Sequence, residues 1–116
     1  MLIGQSVLAP QGGAVYYTPW MPRGGDAFTA VFEVIDAMSG TWDLTCLIQT
    51  KNAEDDDQSP GSLGTKSVSS IGQHQHHVTS GAKELVRYRF TATGDTSGHV
   101  DKWIHFRSNA PIWQPN

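Results

Sequence analysis

Cysteine is almost missing from this chain. One thiol, Cys46, stands in 116 residues, so no disulfide can form within the chain and its stability must come from packing. A lone cysteine also argues against a small secreted module built on disulfides. Charge is sparse as well: 8 basic and 11 acidic residues give a net charge of −3 with histidine neutral. The lysines, Lys51, Lys66, Lys83 and Lys102, are scattered. Nothing here makes the clustered cationic footprint that nucleic acid or an anionic membrane surface demands. No stretch reaches the roughly 20 apolar residues of a membrane-spanning helix. The opening Met1-Leu2-Ile3-Gly4-Gln5 lacks the basic start of a secretion signal, so neither leader nor anchor is expected. No nucleophile elbow and no glycine-rich phosphate loop are found, so neither enzymatic activity nor a cofactor is expected.

What the chain does have is β-branched and aromatic residues, interrupted every ten or so residues by Gly, Pro, Ser or Thr. In Thr41–Gln49, Trp42, Leu44, Cys46 and Ile48 share one face, with Leu47 the exception on the other. Phe28–Met38 is apolar on both faces, with Phe28, Phe32 and Val34 against Val31 and Ile35. That predicts a central strand or one covered by another subunit. Ser39-Gly40 reads as a hairpin turn pairing these two strands. In Leu85–Thr93, Val86, Tyr88, Phe90 and Ala92 alternate with Arg87, Arg89 and Thr91. In His99–Ser108, Val100, Ile104 and Phe106 alternate with Asp101, Trp103, His105 and Arg107. Shorter strands are expected at Gln5–Ala9, Ala14–Thr18, Lys66–Ile71 and His74–Thr79. About eight short strands predict a single all-β domain over 1–116, an antiparallel two-sheet β-sandwich, with the jelly roll among its forms. The acidic stretch within 51–65 reads as an exposed loop. The proline-bearing tail 109–116, with Ile112 and Trp113, reads as an arm docking on this domain or a neighbour.

Several motifs invite chemistry. His74 and His76 share a strand face, a spacing that can bind zinc, with His99 or His105 as a further ligand. The competing reading is a polar edge strand that discourages aggregation, and the Glu that follows the H-x-H of cupins is missing. Asp55, Asp57 and Ser59 have the opening spacing of an EF-hand, but Pro60 and Lys66 stand where its Gly and Glu belong. Asp95-Thr96-Ser97-Gly98 misses the aspartic-protease triplet by one residue and reads as a turn. Arg23-Gly24-Gly25-Asp26 reads as a loop tip. Cys46, among apolar neighbours, reads as a buried, inert thiol. The rigid aromatic segment Tyr16-Tyr17-Thr18-Pro19-Trp20 reads as a contact patch or as a lid on the sandwich. Trp103 and Arg107 on one strand, and Arg87 and Arg89 on another, would be displayed together if those strands were neighbours. Trp and Arg are enriched at binding hot spots.

Tyr16–Trp20 through Arg23–Asp26, Glu84–Phe90 and Phe106–Pro111 give the chain a texture that resembles the small β-sandwich structural proteins of phages and viruses, of the head-decoration (cement) and short coat types. The resemblance transfers no functional residue. It implies a self-associating structural protein of a virion or a cytoplasmic assembly, partnered by its own copies or by a larger shell or filament. The contact residues expected are Tyr16, Tyr17, Trp20, Arg87, Arg89, Trp103, Arg107, Ile112 and Trp113. The alternatives are a carbohydrate-binding module stacking sugars on Trp103, Tyr17 or Trp20, and a metal protein built on the histidines.

Overall fold

The computed structural model describes residues 2–8, 15–37, 42–56, 58–94 and 104–114. All regular structure among them is β: β1 (Leu2–Leu8), β2 (Val15–Tyr17), β3 (Met21–Pro22), β4 (Ala27–Ala37), β5 (Trp42–Lys51), β6 (Gly61–Val68), β7 (Gly72–Val78), β8 (Leu85–Gly94), β9 (Ile104–Asn109) and β10 (Ile112–Gln114). They form two antiparallel sheets. In the first, β1, β9 and β4 lie side by side, with β7 and β10 also on β4. In the second the order is β2, β8, β5, β6, with β3 also on β8.

Two of these strands are interrupted rather than separate. β5 covers one edge of β8 from Leu85 to Gly94, so β2 and β3 share the other edge. Likewise β7 occupies one edge of β4, and β9 and β10 follow each other along the second. Proline accounts for both breaks, since it cannot donate to a ladder. Between β2 and β3, Pro19 stops the pairing. The buried Thr18 bridges the gap, donating its N–H to Tyr88 O (3.0 Å) and accepting the Tyr88 N–H on Oγ1 (2.9 Å). Between β9 and β10 the break is Ala110-Pro111. With each broken pair taken as one strand, the sheets run 1-8-3-6 and 2-7-4-5 by strand position. That interleaving, in which successive strands alternate between sheets except at one hairpin-like step, is the jelly-roll order.

The alternation read from the sequence builds the core. Phe28, Ala30, Phe32 and Val34 of β4, Leu44 and Ile48 of β5, Val86, Tyr88, Phe90 and Ala92 of β8, and Ile104 and Phe106 of β9 are all fully buried between the sheets. Phe90 is the hub. Its ring lies 4.6 Å from Phe106 and 5.4 Å from Phe32, with Tyr88 at 6.3 Å. Each such ring, taken out of water, stabilises the fold by about 1.5–3 kcal/mol, before any edge-to-face bonus.

Four expectations need correction. β4 and β5 do not pair: β4 lies in the first sheet and β5 in the second, and the Ser39-Gly40 turn falls outside the described residues. Each strand turns an apolar face to the core, and periodicity alone cannot tell strands that pair edge to edge from strands that stack face to face across it. The expected loop 51–65 is shorter. Lys51 is buried at the end of β5, and β6 begins at Gly61, where the ladder to Thr50 resumes. Of the two readings of the tail, it docks on this domain, and it begins later than 109. Asn109 belongs to β9, and Ile112–Gln114 pair with Thr29–Ala27, putting Trp113 on Phe28 at 4.7 Å between ring centres. Lastly, β8 and β9 lie in opposite sheets, so Arg87 and Arg89 do not share a surface with Arg107.

Candidate interaction surfaces

The outer face of the second sheet carries the densest group of the expected contact residues. Tyr17 pairs with Arg89, and Arg89 with Leu47. One step along, Arg87 pairs with Gln49. Arg87 is held tightly. Its guanidinium sits 4.3 Å from the Tyr17 ring centre and 4.4 Å from that of Trp20, and its Nε–H donates to Gln49 Oε1 at 2.8 Å. Lys51 Nζ lies over the same Trp20 ring at 5.0 Å and donates to the Asp55 carbonyl at 3.2 Å. Pro19 fixes the approach of Trp20, and the long stem of Lys51 covers it, which explains how a lysine is buried at a strand end. Two N–H donors in this group, Trp20 Nε1 and Arg89 Nε, are buried without a hydrogen-bond partner. Val15 and Tyr17 project from the edge of this face into solvent.

Tyr16 faces the other way. It alternates inward between Val15 and Tyr17 and meets Phe106 edge-on at 5.8 Å, so it packs against the core. Trp113 does too, packed on Phe28 and over Gly24, where an added Cβ would fall 2.6 Å from the indole. Arg107 and Ile112 lie on the outer face of the first sheet. There Arg107 donates to Glu33 Oε1 at 2.7 Å from the adjacent strand, and Ile112 stands exposed. Ile35 is exposed at a bulge on the same sheet, and Val31, though outside the core, is buried there. Trp103 lies outside the described residues.

The histidines sit on β7, an edge strand. His74 and His76 are in register with Phe32 and Ala30, so both turn inward and are half-buried. Gln73, Gln75 and His77 face solvent. His74 lies 5.6 Å from the Phe32 ring, and its Nε2 is 2.8 Å from the Ser70 carbonyl oxygen, to which it donates in the Nε2–H tautomer. His76 reaches across to β6, close over Gly64. His105 is on β9, in the outward register of Arg107, and His99 lies outside the described residues. Among the described residues no three of His, Cys, Asp and Glu converge as a metal-holding group.

In the acidic loop the carboxylates serve the backbone. Asp55 accepts the Asn52 N–H (2.9 Å), Asp56 accepts that of Gln58 (2.9 Å), and Glu84 accepts that of Ala53 (3.0 Å). Asp57 and the segment 95–98 lie outside the described residues. Arg23 and Asp26 form an ion pair across the Gly24-Gly25 tip. Cys46 is buried in the core, and burial pushes its thiol pKa far up. Burial, and secondarily Cys46, does the same to the Tyr88 phenol. Reading by residue type alone missed Tyr88 and Ser108, whose hydroxyls are buried in the core without a hydrogen-bond partner. No helix is long and apolar enough to cross a membrane among the described residues. Comparison of the chain with protein-family models, with curated proteins and with solved structures finds no match.

Proposed function

We propose that the chain is a non-enzymatic structural protein that associates, with its own copies or on a larger shell such as a virus capsid, through the outer faces of its sheets. One observation carries the reading. Val15 and Tyr17 are 44% and 47% exposed, side by side on the face that also presents Arg87 and Arg89, while Ile112 on the opposite face is 59% exposed. Exposed apolar side chains are ordinary when single, but grouped and ringed by polar residues they mark contact surfaces. Arg87, stacked on two rings, keeps this face rigid. A partner that covers it has little side-chain entropy to overcome, the condition under which Tyr, Trp and Arg contribute most to binding.

The route of association differs from the arms expected at first. Trp20 and Trp113 are folded against their own domain, so contact falls to the sheet faces and not to exchanged ends. Jelly rolls serve both capsids and lectins, so the fold by itself favours neither reading. Sugar stacking has less support than protein contact, because two of the three rings it would draw on, Tyr17 and Trp20, carry Arg87 and Lys51. Light scattering across a concentration series, with co-sedimentation on purified shells, tests the proposal. Growth of mass or shell-bound protein is expected; a monomer indifferent to shells refutes it.

A further inference from the structure

Arg89 stands apart from the other cations on the outer face of the second sheet. Arg87 is stacked on Tyr17 and Trp20 and bonded to Gln49, and Lys51 is bonded to the Asp55 carbonyl. Arg89 lies half-buried in the middle of the face, between Tyr17 and Leu47. Its Nε–H has no acceptor, and no carboxylate among the described residues pairs with it. A guanidinium partly withdrawn from water and left unpaired is costly, and a carboxylate laid on its fork adds two charge-assisted hydrogen bonds. The densest exposed carboxylates of the same chain are Glu54-Asp55-Asp56, just beyond the end of β5. They do not reach their own Arg89. Arg89 is opposite Leu47, four residues from Lys51 and so about 13 Å along the strand. The loop is held at the strand end, by the Lys51–Asp55 bond and by Asp55 and Asp56 accepting the N–H groups of Asn52 and Gln58. Each of these carboxylates keeps lone pairs for a further donor, and Glu54 has no hydrogen bond or ion pair with the described residues.

We propose that a second copy of the chain covers this face, with the acidic loop 52–56 of each copy seated on Arg89 of the other. The inference rests on the reading that the chain associates through its sheet faces, and it names the partner and the contact. Because loop and Arg89 share one face, a two-fold axis lying in the plane of that face, across the strands between them, makes both contacts at once. Arg87 then lies near the axis, held against its own Tyr17 and Trp20 rings. Beside Arg89 the face offers what a contact needs besides charge: exposed Val15 and Tyr17, and half-buried Leu47, Thr45 and Thr91. Four strands about 4.8 Å apart, the longest of 10 residues, present about 600 Å² per copy. That is the low end for a stable interface, about 1,200 Å² in total, so the ion pairs decide whether the dimer forms and salt weakens it.

Charge exchange on the full chain, followed by sedimentation velocity, tests the contact. Arg89→Glu and Glu54→Lys each set like charges against each other at both contacts, and each is expected to weaken the dimer at least about tenfold. An equimolar mixture of the two variants restores opposite charges at both contacts, as does the double variant Arg89→Glu/Glu54→Lys. Both are expected to associate as the native chain does. Native association is expected to weaken at least about tenfold between about 0.05 and about 0.5 M salt. Melting curves check that each variant is folded; should Arg89→Glu not fold, Glu54→Lys and the salt series carry the same test. Single variants that associate like the native chain would overturn the proposal while leaving association through the sheet faces standing. So would a mixture and a double variant that recover nothing. Arg89→Glu that lowers the melting transition and leaves association intact would place the partner of Arg89 within its own chain, and would overturn it too. A native chain that stays monomeric at about 100 µM and low salt would remove both this contact and self-association through the faces.

Discussion

Tyr88 offers the sharpest check on the packing. Its side chain is fully buried and its hydroxyl has no hydrogen-bond partner. Replacing a tyrosine whose hydroxyl is bonded ordinarily costs about 0.5–1.5 kcal/mol. Here the sign should reverse. The hydroxyl leaves water on folding at a penalty of about 1–3 kcal/mol and recovers only the dispersion contacts of one oxygen, a few at about 0.1–0.2 kcal/mol each. Tyr88→Phe is therefore expected to stabilise the fold by about 1 kcal/mol. For a chain of this length that raises Tm by about 4 °C. With a urea m-value of about 2 kcal/mol/M the midpoint moves up by about 0.5 M. Urea unfolding followed by tryptophan fluorescence reads this directly. A loss of more than about 1 kcal/mol, at unchanged m, would mean that the hydroxyl is bonded in solution and that the core is not packed as described.

The remaining predictions concern charge and backbone. Cys46 and Tyr88 are held neutral in the fold, whereas in the unfolded chain they ionise around their ordinary values of 9.0 and 10.0. Their stabilising effect is whole below those values and falls as pH rises above them, by at most about 1.4 kcal/mol per pH unit for each group. Alkaline melts should steepen above pH 9 in the native protein and flatten in the Cys46→Ala/Tyr88→Phe variant; equal slopes would contradict the burial. Gly64 has φ +150°, and a Cβ there would sit 2.7 Å from His76 Nε2. Gly64→Ala should cost about 1–3 kcal/mol by chemical unfolding, and adding His76→Ala should recover only the steric share. Arg87→Ala, losing its stack on Tyr17 and Trp20, should cost about 1 kcal/mol and quench or shift Trp20 fluorescence; an unchanged spectrum would count against the stack.

Face alternation was readable wherever a strand keeps one side in the core. Phe28–Val34, Trp42–Ile48, Val86–Ala92 and Ile104–Phe106 all bury the face their pattern predicts. Partnership was not readable. The same two-residue period serves a strand that pairs with its successor and one that crosses to the opposite sheet, so the pairing expected of β4 with β5 fails, and the condition that would set Arg87 beside Arg107 is not met. The aromatic segment reads as a patch or a lid, and the structure divides it: Tyr16 packs onto the core, while Tyr17 stays out and stacks on Arg87. Alternation separates the two, and it was available in the sequence. The Lys51–Trp20–Arg87 grouping was not, because it joins residues from two strands and the Pro19-Trp20 segment between two others. The histidine pair was correctly put on one face, but which face depends on register. Only the pairing of His74 with Phe32 turns it inward.

The proposal that the sheet faces are contact surfaces is tested most directly by sedimentation velocity on the full chain, from about 1 to about 100 µM at physiological salt, beside Tyr17→Ser and Ile112→Ser. Ile112 is exposed and outside the core, so Ile112→Ser should keep the native melting transition, while Tyr17→Ser, which loses its share of the stack on Arg87, should lower it by no more than Arg87→Ala does. Growth of the sedimentation coefficient with concentration in the native chain, weakened in at least one variant, is the predicted result. A monomer throughout that range, with the native chain and both variants indistinguishable in solution and on purified shells, would contradict it.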